Sequence, residues 1–159
     1  MIESSKQLSE DRLAEAVTAL RGQGKKIVFS NGCFDVIHRG HIVSLKFARS
    51  LGDVLIVGLN SDSSIRRLKG EGRPVNNQDD RAEVLCEFES VGYVVLFDGD
   101  RPDELIKIIK PDIYVKGADW KGKRFPDGEL AEELGGKVVF AELVEGHSTT
   151  GTINRIAGH

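Results

Sequence analysis

Two imidazoles and a glycine stand together in the stretch Asn31-Gly32-Cys33-Phe34-Asp35-Val36-Ile37-His38-Arg39-Gly40-His41. His38 and His41 lie three residues apart and are two of the four histidines in a chain of 159 residues. Imidazoles in that pattern could hold a metal, act as general bases, or donate hydrogen bonds to a phosphate. A zinc site needs a third ligand, and although Asp35 and Cys33 are near, they complete no recognisable ligand spacing. Two idle histidines, exposed or satisfied in a core, are the plain alternative. That alternative is weak for a pair bracketing a glycine between a strand-like run and a helix-like one. The phosphate reading suits the context better. Gly40 and His41 would form the first turn of the helix, where unpaired N–H groups and the helix dipole attract anions. Gly40 would let a phosphate approach the backbone closely, with both imidazoles as donors.

Other stretches carry groups of the same kind. Arg66, Arg67, Lys69 and Arg73 fall within eight residues, with Gly70 and Gly72 between them, and read as a mobile cationic loop. A solvated surface loop would look the same, but arginine's planar fork suits phosphate oxygens. Asn60 and Asp62 follow an apolar run, and Asp62 could equally cap a helix with no ligand at all. Lys116-Gly117-Ala118-Asp119-Trp120 follows another such run. There Gly117 would let a base lie against the backbone, and Trp120 could stack on it or simply cover the core. His147-Ser148-Thr149-Thr150 offers hydroxyls at a helix start. Three familiar signatures are absent: no GxxxxGK[ST] occurs, no GxSxG occurs, and Gly22-Gln23-Gly24 precedes its strand instead of following it.

The elements that must position these groups alternate along the chain. Residues 9–21 have helical periodicity, with Ser9 as cap and Leu13, Ala16, Val17 and Leu20 on one face. Apolar strand-like runs end near Gly32, Asn60, Phe97, Gly117 and Val144, and helix-like segments begin near His41, Gln78, Pro102, Asp127 and Ser148. The helix over 78–90 should turn Val84, Leu85 and Phe88 inward. Strands that are apolar throughout and separated by helices predict a Rossmann-like, doubly wound α/β sheet of five parallel strands with helices on both faces. In such a sheet ligands bind beyond the carboxyl ends of the strands. The polar turns named above should therefore share one rim, with His38, His41 and His147 on it.

Composition narrows the class. Net charge is −3, from 22 Lys and Arg against 25 Asp and Glu, with no long basic run, so no nucleic-acid partner is expected. No apolar stretch approaches membrane-spanning length, and the N-terminus has no signal-peptide plan, so a cytoplasmic protein is expected. Cys33 and Cys86 form no CxxC pair and predict no disulfide framework. The length suits one domain over residues 1–159, with a helical extension over 1–23 and a core over 24–157.

His38-Arg39-Gly40-His41 resembles the HxGH signature of the nucleotidyltransferase superfamily that includes cytidylyltransferases. Gly32 to His38 resembles the GxFDxxH form of its small cytidylyltransferase-like branch, and Glu145 to Ile156 resembles its C-terminal serine–threonine motif. Two departures stand out: His147 replaces a common isoleucine, and Ile153 replaces an arginine that some adenylyltransferases carry. Phe29–His41, Ala48–Asn76, Asp80–Leu85, Asp112–Trp120 and Val144–Thr150 together are similar to the adenylyltransferase domain of the ADP-heptose synthase family. That resemblance implies transfer of an adenylyl group from ATP to D-glycero-β-D-manno-heptose 1-phosphate, with release of pyrophosphate. Cytidylyl transfer to glycerol 3-phosphate, adenylyl transfer to flavin mononucleotide, and a non-catalytic nucleotide-binding module are the alternatives. It further implies His38, His41 and Lys69 as catalytic, and nucleotide contacts from Ser30, Asn31, Gly32, Cys33, Phe34, Gly40, Lys116, Gly117, Asp119, Gly146, Ser148, Thr149 and Thr150. Asp35, Asn60, Asp62, Arg73 and Arg81 would hold the acceptor. Mg²⁺ would accompany the triphosphate with no dedicated protein metal site, and the chain would form a homodimer.

Overall fold

The computed structural model describes residues 4–158; His159 and the first three residues of the expected extension lie outside that range. Helices α1 (Glu10–Gly22), α2 (Arg39–Ser50), α3 (Asp62–Lys69), α4 (Gln78–Cys86), α5 (Asp103–Ile109), α6 (Pro126–Glu133) and α7 (Thr149–Ala157) alternate with strands. The strands are β1 (Gln7–Leu8), β2 (Ile27–Gly32), β3 (Val54–Asn60), β4 (Tyr93–Phe97), β5 (Ile113–Gly117) and β6 (Lys137–Ala141). All pair in parallel, in the order β1-β4-β3-β2-β5-β6.

Neighbouring strand residues feed opposite faces of the sheet. Phe29, Ile56, Val95 and Tyr114 pack with Leu13 and Leu20 of α1 and with Ile106 of α5, while Val28, Val57, Val94 and Val115 pack with Leu45 of α2 and Leu85 of α4. Apolar residues at every strand position are what a doubly covered parallel sheet demands. Each fully buried aliphatic contributes about 1.5–3 kcal/mol of transfer free energy. β2 lies between β3 and β5, so the chain leaves β2 toward one edge and later returns to build the other. That reversal opens a crevice above β2 and β5.

Three features depart from the expected pattern. The sheet has six strands, because Gln7 and Leu8 pair with Val94 and Val95 at the edge. Two residues are too few to show alternation. Arg66, Arg67 and Lys69 lie on helix α3, which Ser61 caps by accepting from the Ser64 N–H, and the loop begins only at Gly70. Finally, α4 stops at Cys86 and turns Val84 outward at 45% exposure, while Arg81 takes the inward place. No described helix is long and apolar enough to cross a membrane.

Candidate active site

A cleft of about 800 Å³ opens over the carboxyl ends of β2 and β5. One wall is the β2–α2 turn. Phe34 takes a left-handed backbone there (φ 47°) and, 8% exposed, sets its ring 5.2 Å from that of His41. His38 is the N-cap of α2, and its Nδ1 accepts from the Gly40 N–H at 3.0 Å. His41 answers from the first turn, its Nδ1 accepting from the His38 N–H at 3.2 Å. Each Nδ1 is thus an acceptor, so in the neutral ring the hydrogen sits on Nε2. Neither Nε2 meets a described protein acceptor, and neither is a buried orphan. Both rings therefore present N–H donors to the cleft.

The electrostatics keep the rings neutral. Burial, then the neighbouring His38, pushes His41 down from the ordinary 6.5 to about 4. Burial, then His147 and Arg155, lowers His38 as well. Gly40 has a steric reason of its own: a Cβ there would stand 2.8 Å from the Cε1 of His38. The glycine lets the imidazole fold back onto the helix start.

The C-terminal motif closes the same wall. Ser148 caps α7 by accepting from the Gly151 N–H, and Thr149 Oγ1 donates to the Val36 carbonyl, tying α7 to the β2–α2 turn. His147 lines the cleft with its ring 6.2 Å from that of His38, so three histidines share this rim. Two helix N-termini, those of α2 and α7, thus converge on one space. Gly146 supplies only the left-handed turn before the motif (φ 78°) and does not line the cleft.

The opposite wall uses its charges differently. Arg81 was expected at the acceptor, yet it is 2% exposed and does not reach the cleft. Its guanidinium donates to the carbonyls of Cys33, Asn60 and Asn76 and pairs with Asp62 at 2.8 Å. Those bonds pin the ends of β2 and β3 to α4, and they consume Asp62 as well. Asp35 does line the cleft, at 1% exposure. It accepts from the N–H groups of Val75 and Asn76 and from Arg73 Nε. Burial opposes its charge, but these donors outweigh it and hold the carboxyl below its ordinary value. Asn60 lines the cleft and donates to Ser64 Oγ; Lys69 and Arg73 line it too. Cys33 is a cleft residue whose thiol is pushed up by burial, against the pull of Lys69, Arg81 and Arg73. Cys86 is buried on α4.

The floor is built from β2 and β5. Ser30 sits just below it and donates to the Val115 carbonyl, joining the two strands without reaching the cleft. Asn31, Gly32, Lys116 and Gly117 do line it. Lys116 Nζ stands 3.1 Å from Asp127 and 5.3 Å from the centre of the Trp120 ring. Asp119 lies on a short 3-10 turn (Ala118–Trp120), its carboxylate against Gly117, where a Cβ would come within 2.6 Å. Tyr114 and Asp127 were not singled out from sequence. A tyrosine inside a buried strand must find a polar partner, and that was the available signal.

Among the described residues no group of three or more His, Cys, Asp or Glu side chains could hold a metal ion. Of the carboxylates lining the cleft, Asp35 and Asp127 are already paired with Arg73 and Lys116.

A doubly wound sheet with two helix N-termini and neutral imidazole donors at its switch point makes a cleft suited to holding phosphate groups. The cytidylyltransferase-like family profile matches residues 29–147, and the chain belongs to that family. It is similar to the bifunctional protein HldE of Aliarcobacter butzleri, 54% identical over 146 residues, which cover 92% of this chain and 30% of that one. The bifunctional protein HldE of Wolinella succinogenes is 50% identical over 151 residues, covering 95% of this chain and 31% of that one. The chain thus spans about 30% of the length of the curated relatives it matches. Among solved structures, the lipopolysaccharide core biosynthesis protein of Thermoplasma volcanium GSS1 matches with TM-score 0.64 and 28% identity, over 76% of this chain and 98% of that one. The pantoate-beta-alanine ligase of Francisella tularensis, at TM-score 0.60 and 16% identity over 86% of this chain and 66% of that one, shares the fold.

Proposed function

We propose that the chain transfers an adenylyl group from ATP to D-glycero-β-D-manno-heptose 1-phosphate. The observation that carries the transfer reading is the pair of neutral imidazoles with free Nε2–H donors, set between two helix N-termini. The substrate pair rests on the sequence resemblance to the adenylyltransferase domain of ADP-heptose synthase. The similarity to HldE proteins and to a lipopolysaccharide core biosynthesis protein supports it.

The reaction needs no covalent enzyme intermediate. An oxygen of the acceptor phosphate attacks the α-phosphorus in line, the bond to the β-phosphate breaks, and pyrophosphate leaves. The nucleophile is already an anion, so no strong base is required. What remains is positioning and the stabilisation of charge as it builds on the phosphorus and the leaving oxygen. His38 and His41 donate to the α-phosphate from Nε2. Lys69 and the Ser148–Thr150 turn hold the departing pyrophosphate. Gly117 and Asp119 receive the base, and Asn60 and Arg73 face the acceptor, with Asp35 holding the Arg73 guanidinium in place. Ser30, Gly146, Asp62 and Arg81 are framework in this account. Mg²⁺ would enter with the triphosphate and would supply charge neutralisation on its phosphate oxygens. Because the reaction consumes ATP, a cytoplasmic setting fits it, and a homodimer belongs to the same reading.

The test is pyrophosphate release with ATP and the heptose phosphate, run beside CTP with glycerol 3-phosphate and ATP with flavin mononucleotide. Release that requires ATP and the heptose phosphate together is the expected result. Activity confined to another pair would overturn the acceptor, and nucleotide binding without release for every pair would overturn catalysis.

A further inference from the structure

Tyr114 sits under the cleft with one hydrogen and two polar neighbours. Its hydroxyl faces Asn31 Oδ1 at 2.5 Å and Asp127 Oδ2 at 2.7 Å, two acceptors for a single hydrogen. A phenol donates once. Asp127 Oδ2 also faces Lys116 Nζ at 3.1 Å, so this oxygen belongs to an ionised carboxylate and can only accept. The Tyr114 hydrogen therefore goes to Asp127. The phenol oxygen, left as an acceptor, needs a donor from Asn31, and an amide can give one only through Nδ2. The oxygen and nitrogen of an amide are assigned by such networks.

We infer that Asn31 turns Nδ2 toward Tyr114 and presents Oδ1 to the cleft, where it accepts a hydrogen bond from a hydroxyl of the substrate. The position supports this. Asn31 lines the cleft, and the amide atom not facing Tyr114 has no described protein partner and is not a buried orphan. It opens onto the space where a ligand would lie. A carbonyl-type oxygen there attracts O–H groups and repels phosphate oxygens. The floor thus favours the polyol part of a substrate, while phosphates go to the donors on the α2 and α7 wall. Lys116, Asp127 and Tyr114 form a chain that fixes which end of the amide faces up. Tyr114 and Asp127 act as positioning residues through Asn31. This inference rests on the proposed function for its ligand, but not for the amide orientation itself.

Sugar hydroxyls occur both on the ribose of the nucleotide and on the sugar acceptor, and the experiment separates them. Dissociation constants are measured for ATP, 2′-deoxy-ATP and 3′-deoxy-ATP, and for the heptose phosphate against its singly deoxygenated analogues. Wild type and Asn31→Ala are compared, without turnover. One hydrogen bond of this kind should give wild type a preference of ~3–10-fold for the hydroxyl-bearing ligand. Asn31→Ala should lose that preference while binding the deoxy analogue as wild type does. Loss confined to the ribose set assigns Asn31 to the nucleotide, and loss confined to the sugar set assigns it to the acceptor. A variant that keeps the full wild-type preference in both sets would overturn the inference, as would a wild type showing none. If Asn31→Ala does not fold, Tyr114→Phe is used: it frees the amide to rotate, so the preference should shrink while phosphate affinity holds. An unchanged preference in Tyr114→Phe would overturn the positioning chain. Because binding is read without catalysis, failure of pyrophosphate release would sink the proposed reaction and leave this result standing.

Discussion

The two walls of the cleft spend their polar side chains in opposite ways. On the α2 and α7 wall, backbone groups satisfy the half of each side chain that faces the protein: Gly40 and His38 N–H groups fill the imidazole Nδ1 positions. The reactive half stays free. On the α3 and α4 wall, the side chains hold the backbone together: Arg81 satisfies three carbonyls and Asp35 two N–H groups. Their capacity is used before any ligand arrives. A charged residue near a site is available for chemistry only when the fold makes no prior claim on it.

The sharpest way to break this contrast is to remove one group from each wall. His38→Ala should reduce turnover by ~10²–10³, as loss of a charge-stabilising donor does, while costing only the ~1 kcal/mol of a helix cap. Steady-state kinetics and a denaturant melt measure both. Arg81→Met should do the reverse. It leaves the Asp62 carboxylate and buried carbonyls without their donor, so unfolding free energy should drop by ~3 kcal/mol, while KM for the acceptor in the surviving folded protein stays near wild type. A raised acceptor KM with unchanged stability would place Arg81 at the ligand and dissolve the contrast. Lys69→Ala tests an intermediate case, a cleft cation with no described ion-pair partner. It should lower kcat/KM by ~10–100-fold without moving the melting temperature.

The last effect is a pH dependence. His41 is held down at about 4 against an ordinary 6.5, so between those values the unfolded chain binds more protons than the folded one. Stability should be complete above 6.5 and fall as pH drops toward 4. Activity should show no loss as pH rises through 6.5. An imidazolium donor would show one.

The same contrast explains what could be read in advance. The α2 wall is local: His38, Gly40 and His41 lie within four residues, so helix geometry alone converges them. Alternating apolar runs likewise gave the parallel sheet, because each strand's pattern is contained in its own residues. The α4 wall is assembled from distant segments. Arg81 meets Cys33 from 48 residues away, and nothing in either neighbourhood announces it. Asn31 and Asp127 are joined only through Tyr114, which reads as core. The edge strand at Gln7–Leu8 and helix α3 are short and draw their order from tertiary pairing rather than periodicity.

The central claim is that neutral imidazoles at the start of α2 stabilise nucleotidyl transfer. Pyrophosphate release from ATP and the heptose phosphate, measured for wild type and His41→Ala under identical conditions, tests it most directly. The account predicts release by wild type and a fall of at least ~10² in the variant, with its fold intact. A variant that releases pyrophosphate at the wild-type rate would contradict it.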